Sequence, residues 1–324
     1  MSPKSILLTS ASGTIGRLLI PHLLSTTPES TRLILPTSSA TRLASTYPPA
    51  SFPRLTITEG PVSDPTWLES LCREHAVDAA FLNLGGTDEL FTTLGALDAF
   101  GRAGVRHVVY LSCAGEFTSP EGAAAMLKRA GTATVVVKVA VEQRLRYAEM
   151  PFKWTVVGPT LFFENDLRTP ELLVKEGLLP EPLGEKGVSR VSARDIAAVV
   201  AKVIEDGGEK LGGAKVNVGT LRRWTGRETE EVWSKALGRE VSMSKGDEEG
   251  LEAYERGWWE FVPGAMGKAI GRDVALLCKV WLDEGFGLEE DEYRLLRAVL
   301  GRDVEDYGEW VAKMGKELKE GEGK

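Results

Sequence analysis

Three sets of residues have types and spacings that could do chemistry. The first is Thr9-Ser10-Ala11-Ser12-Gly13-Thr14-Ile15-Gly16, which follows the apolar run Ser5-Ile6-Leu7-Leu8 and opens an amphipathic stretch. Small side chains at a strand-to-helix turn let the backbone approach a pyrophosphate, and the helix N-terminus stabilises its charge. Gly16 allows the helix to pack closely on the strand. The same residues would also make a plain tight turn with no ligand. The second set is Lys138 and Ser112. Lys138 lies in a helical stretch, where burial would lower its pKa and suit it to proton transfer, or where Glu142 four residues on would hold it as a surface pair. Ser112 ends an apolar run, with Cys113 beside it. A free cysteine is usually a small buried filler, and no sequence neighbour of Cys113 would lower its pKa. The third set is the loop Leu82-Asn83-Leu84-Gly85-Gly86, where Asn83 can hydrogen-bond a ligand hydroxyl and the glycines admit a ligand closely. The alternative there is an ordinary strand-end turn.

Composition excludes several other chemistries. With 39 basic and 47 acidic residues in 324, the formal charge is -8, and no nucleic-acid partner is expected. Cys72, Cys113 and Cys278 form no C-x-x-C pair, and His22, His75 and His107 show no ligand spacing. Neither a metal site nor a disulfide framework is expected. No apolar run reaches the roughly 18 residues of a membrane span. Residues 1–8 lack the charged-then-apolar layout of a signal peptide, so a reducing, cytoplasmic setting is expected.

The elements that must position these residues alternate over the first half. Strand patterns occur at 5–9, 32–35, 55–58, 79–84, 106–112 and 154–157, and helical patterns at 15–24, from Asp64-Pro65 onward, at 89–103 and at 134–148. Near-continuous apolar strands between helices mean a parallel sheet covered on both faces. The expected fold is α/β: a doubly wound, Rossmann-like parallel sheet, with ligands beyond the carboxyl ends of its strands. Further on, 171–176 and 193–205 read as helices, 214–218 as a strand, and 225–237 as a helix opened by the capping-box spacing of Thr225 and Glu228. Residues 251–318 read mostly as helix, and 319–324 as a frayed end. Six of the eight tryptophans lie beyond residue 220, so this part is folded. The expected division is a nucleotide-binding unit over 1–157 and a smaller, mostly helical substrate-binding part over 158–324.

The segment 10–16 resembles the GATGxxG fingerprint of the NmrA-like branch of atypical short-chain dehydrogenases/reductases, which includes isoflavone-reductase-like and fungal biosynthetic enzymes. Four more segments resemble that branch in the same order: Val105-Arg106-His107-Val108-Val109-Tyr110-Leu111-Ser112, Lys138-Val139-Ala140-Val141-Glu142, Gly158-Pro159-Thr160-Leu161-Phe162-Phe163-Glu164-Asn165, and Val191-Ser192-Ala193-Arg194-Asp195-Ile196-Ala197. Ala236-Leu237-Gly238-Arg239 follows them, and the resemblance covers roughly residues 5–240. Two departures stand out. Ser10 replaces the first glycine of the fingerprint, and Gly158 stands where the family usually has arginine.

The resemblance implies a nicotinamide cofactor held by Ser10, Ala11, Ser12, Gly13, Thr14, Ile15 and Gly16, by Asn83, Leu84 and Gly85, and by Lys138, Gly158, Pro159 and Phe162. NAD-specific folds place a carboxylate at the end of the second strand, but here Leu35-Pro36-Thr37-Ser38-Ser39-Ala40-Thr41-Arg42 has none. Hydroxyls and one arginine suit a 2′-phosphate, so NADP(H) is expected, with Thr37, Ser38 and Arg42 as contacts. Arg42 is equally well read as a solvated helix residue. Short-chain dehydrogenases of the Tyr-x-x-x-Lys type use the lysine to lower the tyrosine pKa, whereas here Thr134 stands at the tyrosine position. Lys138 and Ser112 are then the expected catalytic residues. Phe163, Asn165 and Trp258 are expected to meet substrate, although core packing would equally account for the aromatics. The function implied is an NADPH-dependent reductase moving hydride to C=O, C=C or C=N of a small, fairly apolar molecule of secondary metabolism, as a monomer or homodimer. An NADP(H)-binding redox sensor, or a non-redox isomerase or cyclase on the same fold, remains open.

Overall fold

The computed structural model describes residues 3–85 and 88–322. Its first half runs β1 (Ser5–Leu8), α1 (Thr14–Thr26), β2 (Arg32–Thr37), α2 (Ala40–Thr46), β3 (Leu55–Glu59), α3 (Pro65–Glu74), β4 (Ala79–Leu82), α4 (Glu89–Ala103), β5 (His107–Leu111), α5 (Pro120–Arg129), α6 (Ala133–Tyr147) and β6 (Lys153–Pro159). Beyond lie β7 (Leu161–Phe162), a 3₁₀ segment (Phe163–Leu167), a π-helical segment (Leu172–Glu176), β8 (Leu178–Leu179), β9 (Val188–Val191), α7 (Ala193–Asp206), β10 (Lys215–Val218), β11 (Arg223–Trp224), α8 (Gly226–Leu237) and β12 (Ser242–Met243). Four helices close the chain: α9 (Glu248–Phe261), α10 (Ala265–Glu284), α11 (Glu290–Leu300) and α12 (Tyr307–Glu322). Helix α12 stays helical through most of the stretch that the sequence suggested was frayed.

Seven strands form one parallel sheet in the order β10-β6-β5-β4-β1-β2-β3. The doubly wound sheet expected from the sequence is therefore present. The chain steps outward from β1 to β3, then returns across β1 to β4, so the direction of winding reverses between β1 and β4. That is the point where such sheets leave a crevice for ligands. The strands are apolar because both faces are covered. Ile6 and Leu8 face one core, with Ile15, Leu19 and Val200 of α1 and α7. Leu7 faces the other, with Leu68, Phe100 and Val141 of α3, α4 and α6. This is the two-residue alternation of an extended chain. Asp64 caps α3 by accepting from the Thr66 and Trp67 amides, ahead of Pro65 at the first position. The Thr225–Glu228 capping box opens α8 as its spacing suggests. Strand β10 lies past residue 158 but pairs with β6 in the main sheet.

A second layer sits over the carboxyl end of the sheet. It holds the small sheets β11-β9-β7 and β12-β8. Its core gathers Phe163, Trp224, Trp233, Tyr307 and Trp310. At the centre of these rings, Arg190 donates to both oxygens of Asp166, at 2.9 and 2.6 Å, with almost no exposure of either side chain. Trp233 Nε1 donates to Asp166 at 2.8 Å, and Tyr307 Oη donates to the same oxygen. The Arg190 guanidinium lies 4.3 Å from the Tyr307 ring centroid. Asp166→Asn leaves the buried guanidinium without its counter-charge. It should lower the unfolding free energy by about 3–5 kcal/mol. In a urea titration this reads as a lower midpoint at unchanged slope. A wild-type midpoint would show that the pair bears no load.

Candidate functional site

The turn after β1 takes its shape from hydroxyls. Ser10 adopts a left-handed φ of 55°, the conformation that favours glycine at this position. Its Oγ donates to the Asn83 carbonyl at 2.7 Å, and the buried Thr9 hydroxyl donates to the same carbonyl at 2.9 Å. The Asn83 amide returns a bond to Thr9 Oγ1 at 2.8 Å. Serine thus stands in for glycine by offsetting its strain with a bond across to the end of β4. It also means the Ser10 hydroxyl is spent on the protein. Gly13 is the N-cap of α1 and supplies no capping side chain, while Ser12 and Thr14 are exposed. A Cβ on Gly16 would lie 2.4 Å from the Ser10 carbonyl oxygen and 2.7 Å from that of Ala11, so only glycine fits. Ala11 and Ile15 are buried beneath. Gly85 has open space above it, whereas Leu84 packs partly into the core. Gly86, expected beside Gly85, lies outside the described residues. An uncapped helix N-terminus, a turn of small residues and open space at the winding reversal together fit a dinucleotide pyrophosphate.

At the end of β2, Ser38 and Arg42 are exposed. The half-buried Thr37 hydroxyl accepts from the Ser39 amide at 3.2 Å, and Ser39 caps α2. One feature was invisible in the local sequence. Glu59, register partner of Thr37 on β3, accepts from the Ala40 amide at 2.7 Å. The β2 edge therefore has a carboxylate after all, supplied by its neighbour.

The catalytic candidates sit at two buried charge pairs, Lys138 as a member of one and Ser112 as a hydrogen-bond donor to the other. Lys138, on α6, pairs with Glu89 at the start of α4 rather than with Glu142. Both side chains are only 10% exposed. Lys138 Nζ also donates to the Leu111 carbonyl at 3.3 Å. Glu142 is fully buried; it accepts from Ser112 Oγ and from Lys215 Nζ, the latter at 2.8 Å. Burial raises the Glu142 pKa, and Lys215 opposes that shift. A Cβ on Gly158 would sit 2.5 Å from Asn217 Oδ1 and 2.8 Å from Lys215 Cε. The arginine that the resemblance leads one to expect at Gly158 would have no room, because Lys215 and Asn217 of β10 occupy that space. Burial pushes the Cys113 thiol up to about 11, which disfavours a nucleophilic role. Thr134 donates its hydroxyl to Asp273 at 2.6 Å, so it does not replace the missing tyrosine.

Beyond Ser112 and Cys113 opens a cavity with two lobes. The inner lobe, about 270 Å³, is walled by Ser112, Cys113, Pro159 and Phe162 from the strand ends and by Leu277 and Trp281 from α10. The outer lobe, about 510 Å³, lies against Leu172, Met243, Trp258 and Phe261. Asn165, Arg168, Glu181 and Tyr254 line both lobes. Asn165 and Trp258 are thus brought to the cavity, whereas Phe163 is not. It is fully buried against Tyr307 and Trp310 in the aromatic core. Glu181 and Tyr254 were not expected from the sequence. They lie 73 residues apart, and the only local signal was a carboxylate between two prolines, Pro180 and Pro182. Among the described residues no His/Cys/Asp/Glu group could hold a metal ion. Gly16→Ala, with its Cβ against two carbonyls, should push α1 off β1. It is expected to weaken dinucleotide binding at least about tenfold, a cost near 1.4 kcal/mol. Calorimetry with NADPH measures this, and unchanged affinity would separate the turn from the ligand.

The sequence profile of an NAD(P)H-binding family matches residues 10–207. No curated protein matches the chain. Solved structures share the fold at low identity. NADPH-dependent quinone oxidoreductase QOR2 from Escherichia coli, complexed with NADPH, has a TM-score of 0.75 at 16% identity, covering 95% of this chain and 99% of that one. A double mutant of NmrA has 0.70 at 17%, covering 100% and 99%. The leucoanthocyanidin reductase–NADPH complex from Vitis vinifera has 0.68 at 15%, covering 96% and 99%. The turn after β1 and the winding reversal agree with the profile match: the chain belongs to the NAD(P)H-binding family.

Proposed function

We propose that the protein is an NADPH-dependent reductase of a small, largely apolar molecule. The observation that carries this reading is the two-lobed cavity, which opens from the strand ends where Ser112 and Pro159 stand. Apolar walls with a few convergent polar groups are the mark of a small-molecule site. The structural neighbours named as NADPH-dependent quinone oxidoreductase and leucoanthocyanidin reductase support a reductase. A cavity built for a small substrate favours an enzyme over a sensor.

In this reading the bound nicotinamide supplies hydride to a C=O, C=C or C=N bond. The amides of Ser12 to Ile15 and the N-terminus of α1 hold the pyrophosphate. Asn83 and Gly85 border the ribose. Lys138 reaches the nicotinamide ribose only when its ammonium leaves Glu89, so the pair sets the resting position of that side chain. Ser112 is held by Glu142 and keeps the floor of the inner lobe fixed. Ser38 and Arg42 stand free at the β2 edge for a 2′-phosphate, with Glu59 as an opposing charge beside them. A molecule of secondary metabolism fits the volume and apolarity of the lobes, and a cytoplasmic location would supply the cofactor.

Calorimetric titration tests the assignment. NADPH should bind more tightly than NADH. Arg42→Ala should lose about tenfold in NADPH affinity, as one charged hydrogen bond of roughly 1.5 kcal/mol predicts, and leave NADH unaffected. Glu59→Gln should strengthen NADPH binding by relieving like-charge repulsion of about 1 kcal/mol. Equal affinities for the two nucleotides would remove the 2′-phosphate site.

A further inference from the structure

The waist between the two lobes holds a carboxyl group that no local structure accounts for. Glu181 follows β8 and is fixed between Pro180 and Pro182, which restrict the backbone on both sides. Its Oε1 accepts from Tyr254 Oη at 3.1 Å. Arg168 lies 3.9 Å from that same oxygen and rests on the Trp258 ring. Its Oε2 is buried and has no hydrogen-bond partner. A buried acceptor without a donor is costly for a carboxylate, and far less so for a carboxylic acid whose own O–H can donate to a ligand. The other hydroxyls and thiols at the inner lobe are committed or disfavoured: Ser112 to Glu142, Thr134 to Asp273, Thr160 to Ser189, and Cys113 and Cys278 held up by burial.

We propose that Glu181 is the proton donor of this cavity, giving the proton on Oε2 to the heteroatom of a C=O or C=N group held at the waist. The proposal rests on the reductase reading and narrows it. The substrate is a flat, mostly apolar molecule with one hydrogen-bond acceptor in its reducible bond, rather than an isolated C=C. When the carbonyl carbon gains hydride, the C=O π pair moves to oxygen. That oxygen forms its O–H bond as the Oε2–H bond breaks. The carboxylate that remains faces the Arg168 cation and regains its proton from water through the outer lobe. Tyr254 is a positioning residue that holds Oε1 and leaves Oε2 as the oxygen without a partner.

Charged and titratable groups reach Glu181 from every side. The 3₁₀ segment and the residue just after it bring Asp166 and Arg168, β9 brings Arg190, α9 brings Tyr254, and α10 brings Cys278. Burial raises the Glu181 pKa and outweighs the lowering by Arg168, Arg190 and the Tyr254 bond. Burial thus shifts the balance toward the acid form, and turnover falls as pH rises through this pKa.

The test uses the full chain with NADPH and 9,10-phenanthrenequinone as the carbonyl probe. Glu181→Gln keeps the side-chain volume. It should hold probe affinity within about twofold by tryptophan quenching, lower kcat about 100-fold, and lose the basic limb of the pH profile. Tyr254→Phe removes a bond that lowers the Glu181 pKa, so it should move that limb to higher pH. Infrared difference spectra should show a protonated carboxylic acid at neutral pH that vanishes in Glu181→Gln. Wild-type kcat with an intact basic limb in Glu181→Gln overturns the proposal. If the wild type consumes no NADPH, the reductase reading falls and infrared decides about Glu181. A lowered carbonyl stretch of the bound probe, seen in the wild type and absent in Glu181→Gln, retains the donor, and its absence overturns it.

Discussion

The bidentate pair between Arg190 and Asp166 fixes the upper half of the molecule. Neither side chain meets water, so each has to be satisfied by the other and by the rings around them. Replacing the whole pair with apolar groups would be close to neutral in energy. What the pair adds is position. Asp166 receives bonds from β9, α8 and α12 at once, and so three elements distant in sequence are set relative to one carboxylate. Asn165 precedes it and Arg168 follows two residues later, and both line the cavity. The wall that a substrate would meet is located by a bond made within the same short segment, and Asp166 itself borders the outer lobe.

Lower down, cations are paired at the strand ends. Lys138 meets Glu89 and Lys215 meets Glu142, each pair joining a helix to an element far away in sequence. The fold accepts Lys215 because Gly158 vacates the room for it. Gly158 and Lys215 are fitted to each other, since any side chain at residue 158 would meet the lysine stem and Asn217.

The sheet was legible in the sequence because its strands are buried on both faces and so read as unbroken apolar runs. Strand β10 was legible from the alternation of Val216 and Val218 with polar residues, but its place beside β6 was not, because pairing is a tertiary fact. Helix α2 was hidden: Ala40–Thr46 is two turns long and buries only Leu43, so it carries no apolar periodicity. Helix α5 was missed although Ser119 and Pro120 mark its start. Strands of two residues, such as β8 and β12, have no periodicity to detect. In the site, position gave away the turn at 10–16, since glycine is required only where a helix follows a strand so closely. Glu59 at the Ala40 amide, Glu89 at Lys138 and Glu181 at Tyr254 were illegible. Each partner arrives from another element, and a carboxylate in sequence looks the same whether solvated or buried.

The two-lobed cavity has a consequence for hydration. At about 30 Å³ per molecule, the inner lobe of about 270 Å³ has room for roughly nine waters. Its walls are mainly carbon, and its serine and threonine hydroxyls are turned to other protein groups, so water there finds few partners. Such water is readily released. An apolar occupant would displace it with a negative heat-capacity change that grows with the wall area covered. A small, strongly hydrated metabolite would give up its own water for little return. The cavity thus selects by desolvation before any hydrogen bond forms.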